Sequence, residues 1–118
     1  MRSYPELVER LWAVADYPVA SLEELGAFTA DGRRYPMFLL RLGERAPEKL
    51  SVIISAGIHG DEPAGVEAAL QFAELTADNP LLLEHFSFDI FPCDNPYGWE
   101  RNTRENSQGL LRSRDNVR

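Results

Sequence analysis

The stretch LSVIISAGIHGDEPAGVEAALQFAELTA, Leu50 to Ala77, decides how the chain folds. Its opening run is short, continuous and β-branched, the pattern of a strand covered on both faces. Gly57 ends the run, and His59 stands just beyond it, flanked by Gly60. Pro63 then opens a helical pattern. Proline suits a first helical turn because it lacks only an N–H that would be unpaired there anyway. Val66, Ala69, Leu70, Phe72 and Ala73 fall on one side of that helix.

Downstream, "NPLLLEHF" reads as a connection or helical turn, and "FSFDIFPCDNP" alternates Phe86, Phe88 and Ile90 as a second strand. "NPYG" reads as a turn. A strand–helix–strand unit over residues 50–92 implies a parallel pair joined by a right-handed crossover. Upstream, "YPELVERLWAVAD" places Leu7, Leu11, Trp12 and Val14 on one side of a helix over residues 4–16. Residues 21–44 read as a hairpin around Asp31-Gly32, and "ERAPEK" as a polar loop. The expected fold class is α/β, a mixed sheet flanked by helices.

In open α/β sheets, ligands gather beyond the carboxyl ends of parallel strands. Both chemically rich loops, "GIHGDEP" and "CDNPYGWERNTREN", follow such ends. Gly60 and Gly65 have the glycine spacing of a phosphate loop, but the lysine and Ser/Thr that must follow are absent. There is no Gly-x-Ser-x-Gly elbow for a serine nucleophile. His59-x-x-Glu62 remains. An imidazole and a carboxylate three residues apart, on a strand tip and the helix beyond it, can bite one cation. Zinc accepts both donors at about 2.0–2.2 Å. The same residues also suit a plain helix start, with Asp61 and Glu62 favourable to its dipole.

Composition bounds the partners. The chain has 118 residues, 44% of them hydrophobic, and a net charge of −7. That charge disfavours nonspecific nucleic-acid binding, and no apolar run approaches a membrane span. No signal-peptide h-region opens the chain. The single Cys93 cannot form an internal disulfide, which fits a reduced, cytoplasmic setting. Residues 1–100 carry seven basic and seventeen acidic groups, and residues 101–118 five basic and two acidic. Arg101 and Arg104 are therefore candidates to face an anionic substrate, or else part of a solvated basic tail.

The two linked motifs together resemble the zinc carboxypeptidase family over roughly residues 25–110. They are most similar to the branch shared with succinylglutamate desuccinylases, aspartoacylases and bacterial murein-peptide amidases. In that family the first loop reads His-Gly-x-Glu and supplies two zinc ligands. The second reads Asn-Pro-x-Gly, then Arg-x-Thr-Arg. The resemblance implies the first part of a zinc carboxypeptidase-like, phosphorylase/hydrolase-like fold. It implies His59 and Glu62 as zinc ligands, Asn95, Pro96 and Gly98 as the turn after the strand, and Arg101 or Arg104 as the oxyanion and substrate arginine. Asn95, Arg101 and Arg104 are then the substrate-binding candidates, with Arg101 the better match to the classical enzymes. Tyr97 and Trp99 are pocket walls or packing residues. The implied reaction is zinc-assisted hydrolysis of a peptide or N-acyl amino acid that carries a carboxylate.

The family's Asp-x-Asn-Arg run should follow Gly109-Leu110, where this chain reads "LRSRDNVR". The third zinc ligand and the general base of the family find no match. His85, the other histidine, precedes the second strand and so belongs at the opposite end of the sheet. The expectation is one truncated domain, with a helix and hairpin over residues 1–49, the motif-bearing unit over 50–110 and a divergent tail over 111–118. It should bind zinc weakly, be inactive alone and self-associate through an exposed sheet edge. The alternatives are a noncatalytic module that binds through the His59 crevice, and a plain α/β domain without a retained site.

Overall fold

Ser3 starts the first element by accepting a hydrogen bond from the Glu6 amide at 3.3 Å, with Pro5 in the first turn. Helix α1 follows as Tyr4–Ala15 and buries Tyr4, Leu7, Leu11 and Val14, one stripe at helical spacing. Trp12 falls outside the stripe: it is 51% exposed and lies edge-on to Phe38. The structure is a computed structural model, and it describes residues 1–108. The divergent tail expected over residues 111–118 lies outside the described residues.

Strands β1 (Ala20–Ala30) and β2 (Arg33–Leu42) form the hairpin. Ala30 pairs with Arg33 across Asp31 and Gly32, whose φ values are 51° and 73°. Two left-handed residues in a two-residue loop match the right-handed twist of the flanking strands. Strand β3 (Leu50–Ser55), helix α2 (Ala64–Asp78), a 3₁₀ turn (Pro80–Glu84) and strand β4 (Phe86–Phe91) complete the crossover unit. The sheet order is β1-β2-β4-β3, with β3 and β4 parallel and the other pairs antiparallel. This is the mixed sheet that the sequence implied.

Register places Leu40 beside Ile90 and Ile54, and Leu42 beside Phe88 and Val52, on a single sheet face. The buried members of this set pack with Leu7 and Leu11 of α1 and Val66, Leu70 and Ala73 of α2 in one core. Arg10 clamps the two helices together, reaching Glu67 at 2.8 Å and Glu74 at 3.0 Å. On the opposite face Arg41, Asp89 and Ile53 are neighbours. Arg45 and Arg41 both pair with the largely buried Asp89.

Two expectations need correction. β3 is not covered on both faces: it is the edge strand of the described sheet, with Leu50 68% and Ile53 70% exposed. Apolar composition on both sides of a strand shows what it tolerates, whereas burial depends on a neighbour. "NPYG" is also more than a turn. It opens a short helix, α3 (Pro96–Arg101), because the Asn95 side chain caps it by accepting from the Gly98 amide at 3.0 Å.

Candidate metal centre

The two chemically rich loops meet because their strands end level. Ser55 pairs with Phe91 at the carboxyl ends of β3 and β4. The pairing continues past both strands, with the Ala56 amide donating to the Phe91 carbonyl at 3.0 Å and the Asp94 amide to the Ala56 carbonyl at 2.8 Å. Gly57 then turns the chain at a φ of 77°, where a Cβ would press on Val66 at 2.8 Å. His59 and Glu62 follow on a tight turn, closed by the Glu62 amide donating to the His59 carbonyl at 3.2 Å.

His59 Nδ1 lies 3.0 Å from Glu62 Oε2. Arg104 donates from Nη1 to the same Glu62 oxygen at 3.0 Å. One carboxylate oxygen therefore joins the first loop to the second. The imidazole is mostly shielded, at 19% exposure, and its Nε2 is buried without a hydrogen-bond partner. A groove of about 840 Å³ runs from His59 and Glu62 between β3 and α2.

Two glycines allow the loops to come together. A Cβ on Gly60 would lie 2.1 Å from the Gly98 carbonyl carbon and 2.2 Å from the Thr103 oxygen. A Cβ on Gly98 would lie 2.6 Å from both the Asn95 amide nitrogen and the Glu105 oxygen. No side chain fits in this joint. Asn95 sits behind it, 1% exposed, with its Nδ2 donating to the Glu105 carbonyl at 3.1 Å and its Oδ1 engaged by the α3 cap. Asn95 is thus committed to backbone, where it fixes the segment that presents Arg104.

Arg101 and Arg104 are placed differently. Arg101 points to the hairpin. It donates to the Tyr35 hydroxyl at 2.9 Å and the Tyr97 carbonyl at 3.1 Å, and its guanidinium lies 3.6 Å from the centre of the Tyr97 ring. Tyr97 in turn donates to Asp31 at the hairpin tip at 2.8 Å. Both residues fasten α3 to the hairpin. Arg104 is the arginine brought to Glu62. His85 caps the 3₁₀ turn at the amino end of β4, exposed, at the far end of the sheet from His59.

Sequence reasoning missed Glu100. It is 1% exposed and accepts from the Tyr4 amide at 2.7 Å, the Tyr35 hydroxyl at 2.8 Å and Arg33 at 2.9 and 3.2 Å. Burial pushes its pKa up, but the Tyr4 amide, Tyr35 and Arg33 outweigh this, and the carboxyl is held below its ordinary value. This network ties α1 and the hairpin to α3, which leads to Arg104.

Zinc donors with bonds of about 2.1 Å at a tetrahedral angle stand roughly 3.4 Å apart. The 3.0 Å between His59 Nδ1 and Glu62 Oε2 is close to that spacing. The pair fits zinc as two ligands. Among the described residues, no group of three or more His, Cys, Asp or Glu side chains could hold a metal.

The sequence model of the family described as zinc carboxypeptidase matches residues 13–117. The chain belongs to the zinc carboxypeptidase family. A carboxypeptidase E from Caenorhabditis elegans is 32% identical over 94 residues, 70% of this chain and 19% of the relative. A metallo-carboxypeptidase from Burkholderia cenocepacia is 30% identical, covers 93% of this chain and 31% of its own, and superposes with a TM-score of 0.78. Carboxypeptidase A from Helicoverpa armigera, at 22% identity, shares the fold over 90% of this chain and 29% of its own, with a TM-score of 0.73. This zinc carboxypeptidase-like chain thus spans under a third of each of these relatives. The family model and the Caenorhabditis elegans relative place it in the family without singling out the desuccinylase–aspartoacylase branch.

Proposed function

We propose that this chain supplies two zinc ligands and the oxyanion arginine of a carboxypeptidase acting on peptides with a free C-terminal carboxylate. The observation that carries this reading is the chain of contacts His59–Glu62–Arg104 across the level ends of β3 and β4. His59 and Glu62 hold the metal. Zinc, when bound, lowers the pKa of water to about 7 and polarises the scissile carbonyl. Arg104 brings positive charge beside that carbonyl and stabilises negative charge as it develops on the oxygen. Arg101, spent on Tyr35 and Tyr97, positions α3 instead.

Peptides are preferred over N-acyl amino acids because the relatives described above are carboxypeptidases. The described residues supply two protein ligands and leave the other metal positions to water, so these 118 residues alone are expected to bind zinc weakly and not to turn over. The absence of a third donor among the described residues also favours a second reading, a noncatalytic module that binds acidic ligands in the His59 crevice.

Calorimetry with zinc tests the ligand assignment. The heat of binding is expected to vanish in His59→Ala and to survive in His85→Ala. Tight zinc binding that His59→Ala leaves intact would overturn it. A peptidase assay of the zinc-loaded chain separates the readings. Hydrolysis lost in His59→Ala means an enzyme complete in 118 residues. Peptide binding without turnover favours the module.

A further inference from the structure

A helix leaves its last carbonyls without an intrahelical partner. In the last turn of α3 the Gly98 carbonyl accepts from the Asn102 and Thr103 amides. One distant residue takes the next two. Arg2 donates from Nη1 to the Trp99 carbonyl at 2.6 Å, and from its own amide to the Glu100 carbonyl at 3.2 Å. Its guanidinium carbon lies 5.8 Å from the centre of the Trp99 ring, within cation–π range. A positive charge also suits this negative end of the helix.

Arg2 reaches one residue further. Its Nη2 donates to Asn102 Oδ1 at 3.0 Å. Asn102 is left-handed, with φ 58° and ψ 41°. Asparagine visits that region because its short polar side chain can find a hydrogen bond nearby, and here the partner is Arg2. The turn at Asn102 directs the chain back to the first loop. It leaves the Thr103 oxygen 2.2 Å from where a Gly60 Cβ would stand, and brings Arg104 Nη1 to 3.0 Å from Glu62. Beyond Arg104, Asn95 holds the Glu105 carbonyl at 3.1 Å.

We propose that Arg2 is a positioning residue for Arg104. By joining the Trp99 carbonyl to the Asn102 side chain it fixes the left-handed turn, and the turn sets Arg104 beside Glu62. Asn95 secures the segment after Arg104, and Arg2 secures the segment before it. The guanidinium is suited to this task because its donors form a rigid planar fork that holds two acceptors at a set separation. A lysine would bring the same charge to the helix end on a single flexible point. The role of Arg104 at the scissile carbonyl rests on the function proposed above; its placement by Arg2 does not.

Nitrogen NMR of the arginine side chains, recorded on the full 118-residue chain without zinc, tests this placement. A guanidinium bonded to a carboxylate turns slowly about its Nε–Cζ bond. In Arg2→Gln the Arg104 guanidinium should turn at least about ten times faster, the scale of one lost charge-assisted hydrogen bond. Arg101, bonded to Tyr35 and Tyr97, should keep its rate. Arg2→Lys should leave Arg104 as fast as Arg2→Gln does. Asn102→Ala breaks the same path at its middle and decides the matter if Arg2→Gln folds poorly. It should free Arg104 equally, and the double variant should do no more than either single change, as for residues on one path. An Arg104 rate that stays slow in folded Arg2→Gln or in Asn102→Ala would overturn the proposal. So would full recovery in Arg2→Lys, or a change that Arg101 shares along with a general fall in melting temperature. A zinc titration that failed to move His59 would instead strike the metal reading and leave these expected rates as they are.

Discussion

Replacing Gly60 with alanine should destabilise the chain by about 3 kcal/mol or more, lowering its melting temperature by roughly 15 °C. The atoms a Cβ would meet are the Gly98 carbonyl carbon at 2.1 Å, the Thr103 oxygen at 2.2 Å and the Gly98 oxygen at 2.5 Å. All are backbone, so no flexible side chain can swing aside. The joint between the two loops must open, and His59 and Arg104 must separate. Gly26→Ala is the control. A Cβ there meets nothing within 4 Å, and the change should be neutral or stabilising by up to about 1 kcal/mol. Thermal melts of the two variants check the contrast. Equal melting temperatures would mean that the loops do not touch as described.

The second large effect is expected at Glu100. Glu100→Ala removes the acceptor for the buried Tyr4 amide and the Tyr35 hydroxyl, as well as the partner of Arg33. Two orphaned donors and a broken ion pair should cost about 3 kcal/mol. Arg33 is 43% exposed and keeps its water, which prevents a larger loss. The same carboxylate makes stability depend on pH. Its folded pKa lies below its unfolded value, so its contribution is fully present above about 4.5 and is lost as pH falls through the folded pKa. Glu67, held down to about 2 by Arg10 and Gln71, acts in the same direction, although its exposure reduces the effect. Melting temperature should therefore be flat near neutrality and fall below about pH 4.5. The slope should be shallower in Glu100→Gln. An unchanged acid slope in that variant would remove Glu100 from the network.

Much of the fold was legible because its signals are local. Asp31-Gly32 marks a two-residue hairpin, Pro63 a helix start, and the run from Val52 to Ile54 a strand. The crossover rule then set β3 beside β4, and the level ends of that pair brought both loops to one place. Burial was less legible. The pattern of β3 cannot tell a covered strand from an edge, and Trp12 fits the helical stripe by spacing but lies at its margin. At the site, the offset of His59 and Glu62 on a strand tip left a metal pair and a plain helix start both open, and the fold brings the two side chains to 3.0 Å. Which of Arg101 and Arg104 reaches Glu62 could not be read, since their spacing suits either. It took the left-handed Asn102 at the end of α3, with a φ of 58°, and the Asn95 side chain holding Glu105 to turn Arg104 toward Glu62. Glu100 left no signal, because its donors, Tyr4 on α1 and Arg33 and Tyr35 on β2, lie far from it in the chain. The glycines of the joint did leave one: each rich loop carries a glycine, Gly60 and Gly98, beside its polar residues.

The most direct measurement is a zinc titration of the chain followed by the ring nitrogens of its two histidines in NMR spectra. His59 and the Arg104 guanidinium should shift together, while His85 stays unmoved and serves as an internal reference. In Glu62→Ala the His59 shift should need at least about ten times more zinc. A titration that moves His85 and leaves His59 and Arg104 in place would contradict the metal centre at the joined ends of β3 and β4.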